Sequence, residues 1–283
     1  MAVQNSLAKK NQRMGLTAYL TNDAVKDQIN KVIGGKDGSK FISAIISAVQ
    51  VNPTLQECTN QSILNAALLG ETLKLSPSPQ LGQYYMVPFK DNKQGITVAQ
   101  FQLGYKGYIQ LAIRSGQYKK LNVLSIKEGE LIKFDPLNEE IEVNLIQDEE
   151  AREAAPTIGY YAMFEYTNGF RKAIYWSRSK MEAHAMKYSK GYQAKKGYTF
   201  WEKDFDGMAY KTMLRQLISK WGIMSIEMQS AIDADMAVIN EDGSKTYVDN
   251  EPEAMDVSAE EVRPEEPAQA PKQDNDVASA LFN

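Results

Sequence analysis

The chain has 283 residues, 43% of them apolar, which is enough for one large domain or two small ones. Cys58 is the only cysteine and His184 the only histidine, which excludes an intramolecular disulfide and zinc sites built from Cys and His. No apolar run reaches the roughly 20 residues that span a bilayer, and the N-terminus lacks the apolar core of a signal peptide, so the cytosol is the expected compartment. The net charge of −4 conceals a division. Residues 227–283 hold fifteen acids against three bases and carry −12, whereas residues 1–226 hold twenty-nine bases against twenty-one acids and carry +8. The low overall pI therefore does not argue against a polyanionic partner.

In chain order, residues 1–20 are polar and expected to be a flexible N-terminus. Asn22 or Asp23 caps a helix carrying Val25, Ile29, Val32 and Ile33, which Gly34–Gly35 stops. GGKDGSK (34–40) lacks the spacing and closing residues of a phosphate loop and reads as a turn. Phe41–Val51 and Thr59–Leu73 are two further helices, the first ended by Asn52–Pro53. Their apolar faces suit either a core or a subunit interface. Cys58 reads as a small buried hydrophobe.

Ser76–Pro77–Ser78–Pro79 ends the helical character. Tyr84–Phe89 and Ile96–Leu103, rich in aromatic and β-branched residues, flank DNKQG (91–95) as a hairpin. Gly104–Ser115 turns helical with Ile109, Ala112 and Ile113 on one side, and Gly116 stops it. Leu121–Ile126 is a strand, and the acid-rich stretch Glu128–Arg152 is an excursion with edge strands. Asn168–Gly169 between two apolar runs is a hairpin turn. Ser179 and Glu182 have capping-box spacing and open a helix, while Ser189–Tyr198, with two glycines, reads as a mobile basic loop. Phe200–Trp221 is one long helix, with Lys211 and Arg215 on one face and Leu214, Ile218 and Trp221 turned to the core. From residue 240 on, Pro, Glu, Asp, Ala and Gln dominate, so residues 21–239 are the core and 240–283 a disordered acidic tail. Leu281 and Phe282 after acids give that tail the pattern of a docking peptide.

Within this chain residues 170–221 stand out. Twelve Lys or Arg residues are interleaved with Tyr, Trp and Phe, against four acids. Cations take phosphates and rings offer stacking faces, which suits single-stranded nucleic acid. Catalytic chemistry is sparse. His184 stands alone on a helix face, and of the carboxylates in EKDFD (202–206) only Glu202 and Asp206 share a side, a thin basis for a metal site. The residues alone define an α+β protein with a basic, aromatic-rich surface, an acidic tail and no evident catalytic centre.

Three segments add to this reading. LSPSPQLGQYYMVPF (75–89), FQLGYKGYIQLAIRSGQYKKLNVLSIKEGE (101–130) and WEKDFDGMAYKTMLRQLISKWG (201–222) are similar in order and spacing to the RecT family of phage and prophage recombinases. The resemblance spans about residues 20–235 and excludes the tail. It implies an α+β fold, a β-hairpin and antiparallel sheet packed on helices as in the Rad-type annealing proteins, preceded by N-terminal helices. It also implies ATP-independent annealing of single-stranded DNA in phage homologous recombination, through an annealed duplex intermediate, by a homo-oligomer in a ring or helical filament. The implied setting is the bacterial host cytosol, with no membrane partner. The resemblance implies no required cofactor, with Mg2+ as a modulator of pairing, and a phage exonuclease and a host single-strand-binding protein as candidate partners of the tail. The competing readings are a metal-dependent nuclease and a single-strand binder that does not anneal. On the matching segments, Tyr105, Lys106, Arg114, Lys211 and Arg215 are expected DNA contacts, the last two as an i, i+4 pair facing a groove. Charge and position add Arg171, Lys172, Lys187, Lys190, Lys195 and Lys196. Tyr188, Tyr192, Tyr198 and Trp201 are candidate stacking rings, with core packing favoured for Trp201 and Trp221.

Overall fold

Polar caps followed by apolar runs fold the first part of the chain as helices. A computed structural model describes residues 14–34, 37–91, 94–197 and 199–246. Helices α1 (Leu16–Leu20), α2 (Asp23–Ile33), α3 (Gly38–Val51) and α4 (Asn60–Thr72) come first. Asn22 caps α2 by accepting the Ala24 N–H at 3.0 Å, and Thr59 caps α4 through the Ser62 N–H. The expectation of a loose N-terminus fails over α1, whose Tyr19 and Leu20 are buried in the core. Residues 1–13 fall outside the described residues.

Helix α4 is apolar nearly all round and is buried accordingly, with its polar residues tied to neighbours. Ser62 Oγ accepts the Ala99 N–H at 2.8 Å, and Asn65 donates to the Ile239 carbonyl at 2.9 Å. Cys58 is buried beside it. The inward faces of α3 and α4 are therefore ordinary core.

The hairpin β1 (Tyr84–Asp91) and β2 (Ile96–Leu103) pairs antiparallel from Tyr84 opposite Leu103 to Asp91 opposite Ile96. Within DNKQG, residues 92 and 93 are not among the described residues. Helix α5 (Tyr105–Arg114) follows. Its buried side is Tyr108, Leu111 and Ala112, whereas Ile113 is exposed, one position off the expected stripe.

Strands β3 (Tyr118–Lys127), β6 (Thr157–Tyr166) and β7 (Arg171–Ser177) form an antiparallel sheet in the order β3-β6-β7. Asn168–Gly169 makes the β6–β7 turn, with Gly169 at φ 87°. Between β3 and β6 runs the excursion, a hairpin of β4 (Leu131–Asp135) and β5 (Glu140–Val143) and the short helix α6 (Glu149–Ala154). Buried Glu130 organises it, taking Arg152 Nε at 2.6 Å and the N–H groups of Lys127 and Ile146. Burial alone would raise the Glu130 pKa, but these donors outweigh it and hold the carboxyl below its usual range.

The last part departs most from expectation. Helix α7 (Arg178–Tyr188) is capped by Ser177, through the Lys180 N–H, and not by Ser179, while Glu182 pairs with Arg178 instead of closing a capping box. Lys190–Gln193 forms a short helix, α8, where a loop was expected. The long helix is interrupted at Asp204, giving α9 (Phe200–Lys203) and α10 (Phe205–Trp221). Thr199 and Glu202 form a reciprocal capping box on α9, and Asp204 caps α10 through the Gly207 N–H at 2.9 Å. Helix α11 (Ile226–Ala234) precedes β8 (Val238–Ile239), which pairs with β9 (Lys245–Thr246), so residues 240–246 of the expected tail complete a small hairpin over 238–246. Residues 247–283, the rest of the expected tail, lie outside the described residues.

Two hydrophobic clusters result. The first gathers α1–α5, β1–β2, α11 and β8, and the second gathers β6, α7, α9 and part of α10. Helix α10 belongs to both. Leu214 and Ile218 enter the first cluster, whereas Ala209, Met213 and Leu217, on another side of the helix, enter the second.

Candidate nucleic-acid interface

The i, i+4 pair on α10 does not face open solvent as expected. Lys211 Nζ lies 2.8 Å from Asp235 Oδ1 with its side chain 10% exposed, and Arg215 meets Asp235 Oδ2 at 3.0 Å. Asp235, fully buried at the end of α11, also accepts the Leu103 N–H at 2.9 Å. This carboxylate joins β2, α10 and α11, and two cations beside it compensate a charge that would otherwise be costly to bury. The physical reason for the departure is an acid twenty residues further on that folding brings under the helix.

Arg114 is likewise engaged. Its guanidinium donates to the Leu73 carbonyl at 2.6 Å and the Lys74 carbonyl at 3.3 Å, closing the C-terminal end of α4. Tyr105 and Lys106 occupy the first turn of α5, with Lys106 exposed and 5.9 Å from the Tyr105 ring centre. Arg171 is exposed on β7, and Lys187, Lys190, Lys195 and Lys196 are exposed along α7, α8 and the turn that follows. Lys172 is mostly covered, lying 3.5 Å above the Trp221 ring and paired with Glu139.

The segments that carry the sequence signature meet around the start of α5. Tyr105 packs edge-on against Tyr210 of α10 at 5.6 Å, and Tyr85 of β1 lies 5.6 Å from the half-exposed Phe200 of α9. Burial first, then the Asp204 carboxylate, raises the pKa of both Tyr85 and Tyr105, so their hydroxyls stay protonated. The approach of α5 to β1 is close. A Cβ on Gly107 would stand 2.1 Å from the Gln83 carbonyl oxygen, and one on Gly104 would stand 2.1 Å from that of Gly82. Glycine at those two positions is what lets the start of α5 pack down beside the Tyr85 ring.

A second group of rings and cations lines the inner face of β7. Trp176 carries Lys180 Nζ at 4.4 Å, and His184 lies 5.6 Å from the same indole. Burial, then the charges of Arg215 and Lys187, push the His184 pKa down to about 4, so the ring is neutral near pH 7. Trp221, expected in the core, is 49% exposed. Trp201 is buried as expected, with Tyr192 6.3 Å away, while Tyr188 packs on His184 at 4.6 Å. Tyr198 is not among the described residues. Sequence reading missed Tyr85, Phe200, Tyr210, Trp176, Lys180 and Lys220. Each lies in or beside a segment singled out by composition, but only the fold shows which of them share a surface.

The three carboxylates in EKDFD are dispersed. Glu202 serves Thr199 and Gly197, Asp204 caps α10, and Asp206 accepts the Tyr160 hydroxyl at 2.6 Å with Arg178 3.6 Å away. Among the described residues no group of three or more His, Cys, Asp or Glu is placed to hold a metal ion. No helix among them is long and apolar enough to cross a membrane.

Comparison with known proteins gives the class to which this architecture belongs. The model of the RecT family matches residues 39–254, and the chain belongs to that family of single-strand annealing recombination proteins. It is 39% identical over 268 residues to the uncharacterized protein YqaK of Bacillus subtilis (strain 168), covering 90% of this chain and 88% of that protein. It is also 29% identical over 222 residues to the protein RecT of Escherichia coli (strain K12), covering 77% and 79%.

Proposed function

We propose that the chain pairs complementary single strands of DNA without ATP, as an oligomer on the DNA, during phage homologous recombination in the host cytosol. The observation that carries this reading is the meeting of the signature segments at the first turn of α5, where Lys106 is exposed beside the Tyr105 ring and the Tyr85 and Phe200 rings pack on one another. The exposed cations Lys106, Arg171, Lys187, Lys190, Lys195 and Lys196 are the proposed phosphate contacts. Lys211, Arg215 and Arg114 act behind them by holding α10 and α5 in place. Neutralised phosphates lower the repulsion between two strands, and base pairing supplies the sequence selectivity, so the protein needs no base-specific contacts. Mg2+ modulates pairing by screening the same phosphates, and the acidic tail is the proposed contact for an exonuclease or a single-strand-binding protein.

The test is to mix labelled complementary oligonucleotides with the protein, with and without Mg2+ and without nucleotide. Faster formation of full-length duplex is expected in both conditions. Shortened strands would replace this reading with a nuclease, and slowed pairing would replace it with a plain single-strand binder.

A further inference from the structure

Strand β7 is an edge of its sheet, and its register with β6 sets Lys172, Ile174 and Trp176 on the face shared with Phe164, Ala162 and Tyr160. The C-terminal end of α10 closes one end of this face. There Trp221 leaves 49% of its surface in solvent, although its helical spacing from Leu214 and Ile218 would suit a core residue. Its backbone is fixed, because the Tyr166 hydroxyl donates to the Trp221 carbonyl at 3.3 Å and accepts the Ile223 N–H. An exposed indole on a pinned backbone is a ready-made flat platform.

Cations surround both indoles. Lys172 Nζ lies 3.5 Å from the Trp221 ring centre and Lys180 Nζ 4.4 Å from that of Trp176. Lys180 and Lys220 have no acidic partner within salt-bridge distance among the described residues. Burial first, then the charge of Lys220, lowers the Lys180 pKa, so these two ammonium groups feel one another. Exposed cations without a counter-charge make a place where an anion is stabilising, and one flanked by the exposed Trp221 indole suits a polyanion with flat bases.

We infer that the inner face of β7, with Lys172, Trp176, Lys180, His184, Lys220 and Trp221, is a second single-strand DNA subsite, apart from the signature cluster at α5. An unpaired base stacks on the exposed indole of Trp221, beside the half-buried Trp176, and Lys180 and Lys220 take the adjoining phosphates. The inference rests on the reading that the chain binds single-stranded DNA, and it adds where a strand's bases are gripped. Because duplex buries its base faces, the subsite is selective for unpaired strands.

Tryptophan emission tests it directly. The chain has three tryptophans, and Trp201 is only 7% exposed, so a stacking signal arises from Trp176 and Trp221. Titration of the full chain with oligo(dT) should quench emission, and duplex of equal length should not. Trp221→Leu should lose most of the quench and bind about tenfold more weakly, the expected loss of one stacked base. Lys180→Ala with Lys220→Ala should keep the quench but reduce the single-strand salt slope by about 1.4, two phosphate contacts. Both are exposed residues, so this second variant decides the matter if Trp221→Leu fails to fold. Unchanged emission while the anisotropy of a labelled strand reports binding would overturn the subsite and leave the annealing reading standing. Absence of binding by either measure would overturn both.

Discussion

The middle and the C-terminal end of α10 use the same residue types in opposite ways. In the middle of the helix, against the first cluster, Lys211 and Arg215 are drawn onto Asp235 and hold α10, α11 and β2 together. At its C-terminal end, beside the second cluster, Lys220 lies exposed next to Trp221, which is capped by Lys172. The difference teaches that a cation's task is set by whether folding delivers an acid to it. A positive count in the sequence mixes structural charges with surface ones.

Substitution of the charges at each place breaks the comparison most strongly. Lys211→Ala leaves Asp235 short of a partner, so it should cost about 3 kcal/mol or more in denaturant unfolding, as loss of one member of a buried pair does. Lys220→Ala should stay within about 0.5 kcal/mol, as exposed substitutions do. Equal effects would mean the two sites do not differ as described. A smaller effect sharpens the role of the first cluster. Gly107→Ala places a Cβ against the Gln83 carbonyl, and overpacking of that kind costs about 1–3 kcal/mol. A variant as stable as the parent would show that α5 can shift from β1 without loss.

The smallest effect concerns the second cluster and pH. The His184 pKa is pushed down to about 4, below the roughly 6.5 of an unfolded histidine, so the unfolded chain takes up the proton first on acidification. The stability contributed is complete above about pH 6.5 and is lost as pH falls toward 4. Between pH 7 and 5 the urea midpoint should fall by the equivalent of about 1–2 kcal/mol, and His184→Gln should blunt that fall. An identical fall in the variant would assign the pH dependence to other groups.

Local signals were legible in the sequence. Asn22, Thr59 and Asn168–Gly169 act as their chemistry dictates, because caps and tight turns are decided within a few residues. The break at Asp204 was also written locally, but Asp204 looks like helix interior until its side chain is seen to cap α10 through the Gly207 N–H. What could not be read was set by distant partners. Asp235 reaches Lys211 only after α10 and α11 fold against β2, and Arg114 finds the end of α4 forty residues earlier. Trp221 follows the apolar stripe of α10 faithfully, yet the helix runs to the margin of what covers it. Of the candidate contacts, the exposed lysines were legible as a class, while the ring cluster of Tyr85, Phe200, Tyr105 and Tyr210 required four separate segments to converge.

Helix α10 supplies side chains to both clusters, and this has a mechanical consequence. Neither half of the molecule can loosen without withdrawing a wall from the other, so heat or tension brings both down together. A strand tugging at the indole on the tip of that helix pulls on a beam anchored through the whole body, and the load passes to the N-terminal helices.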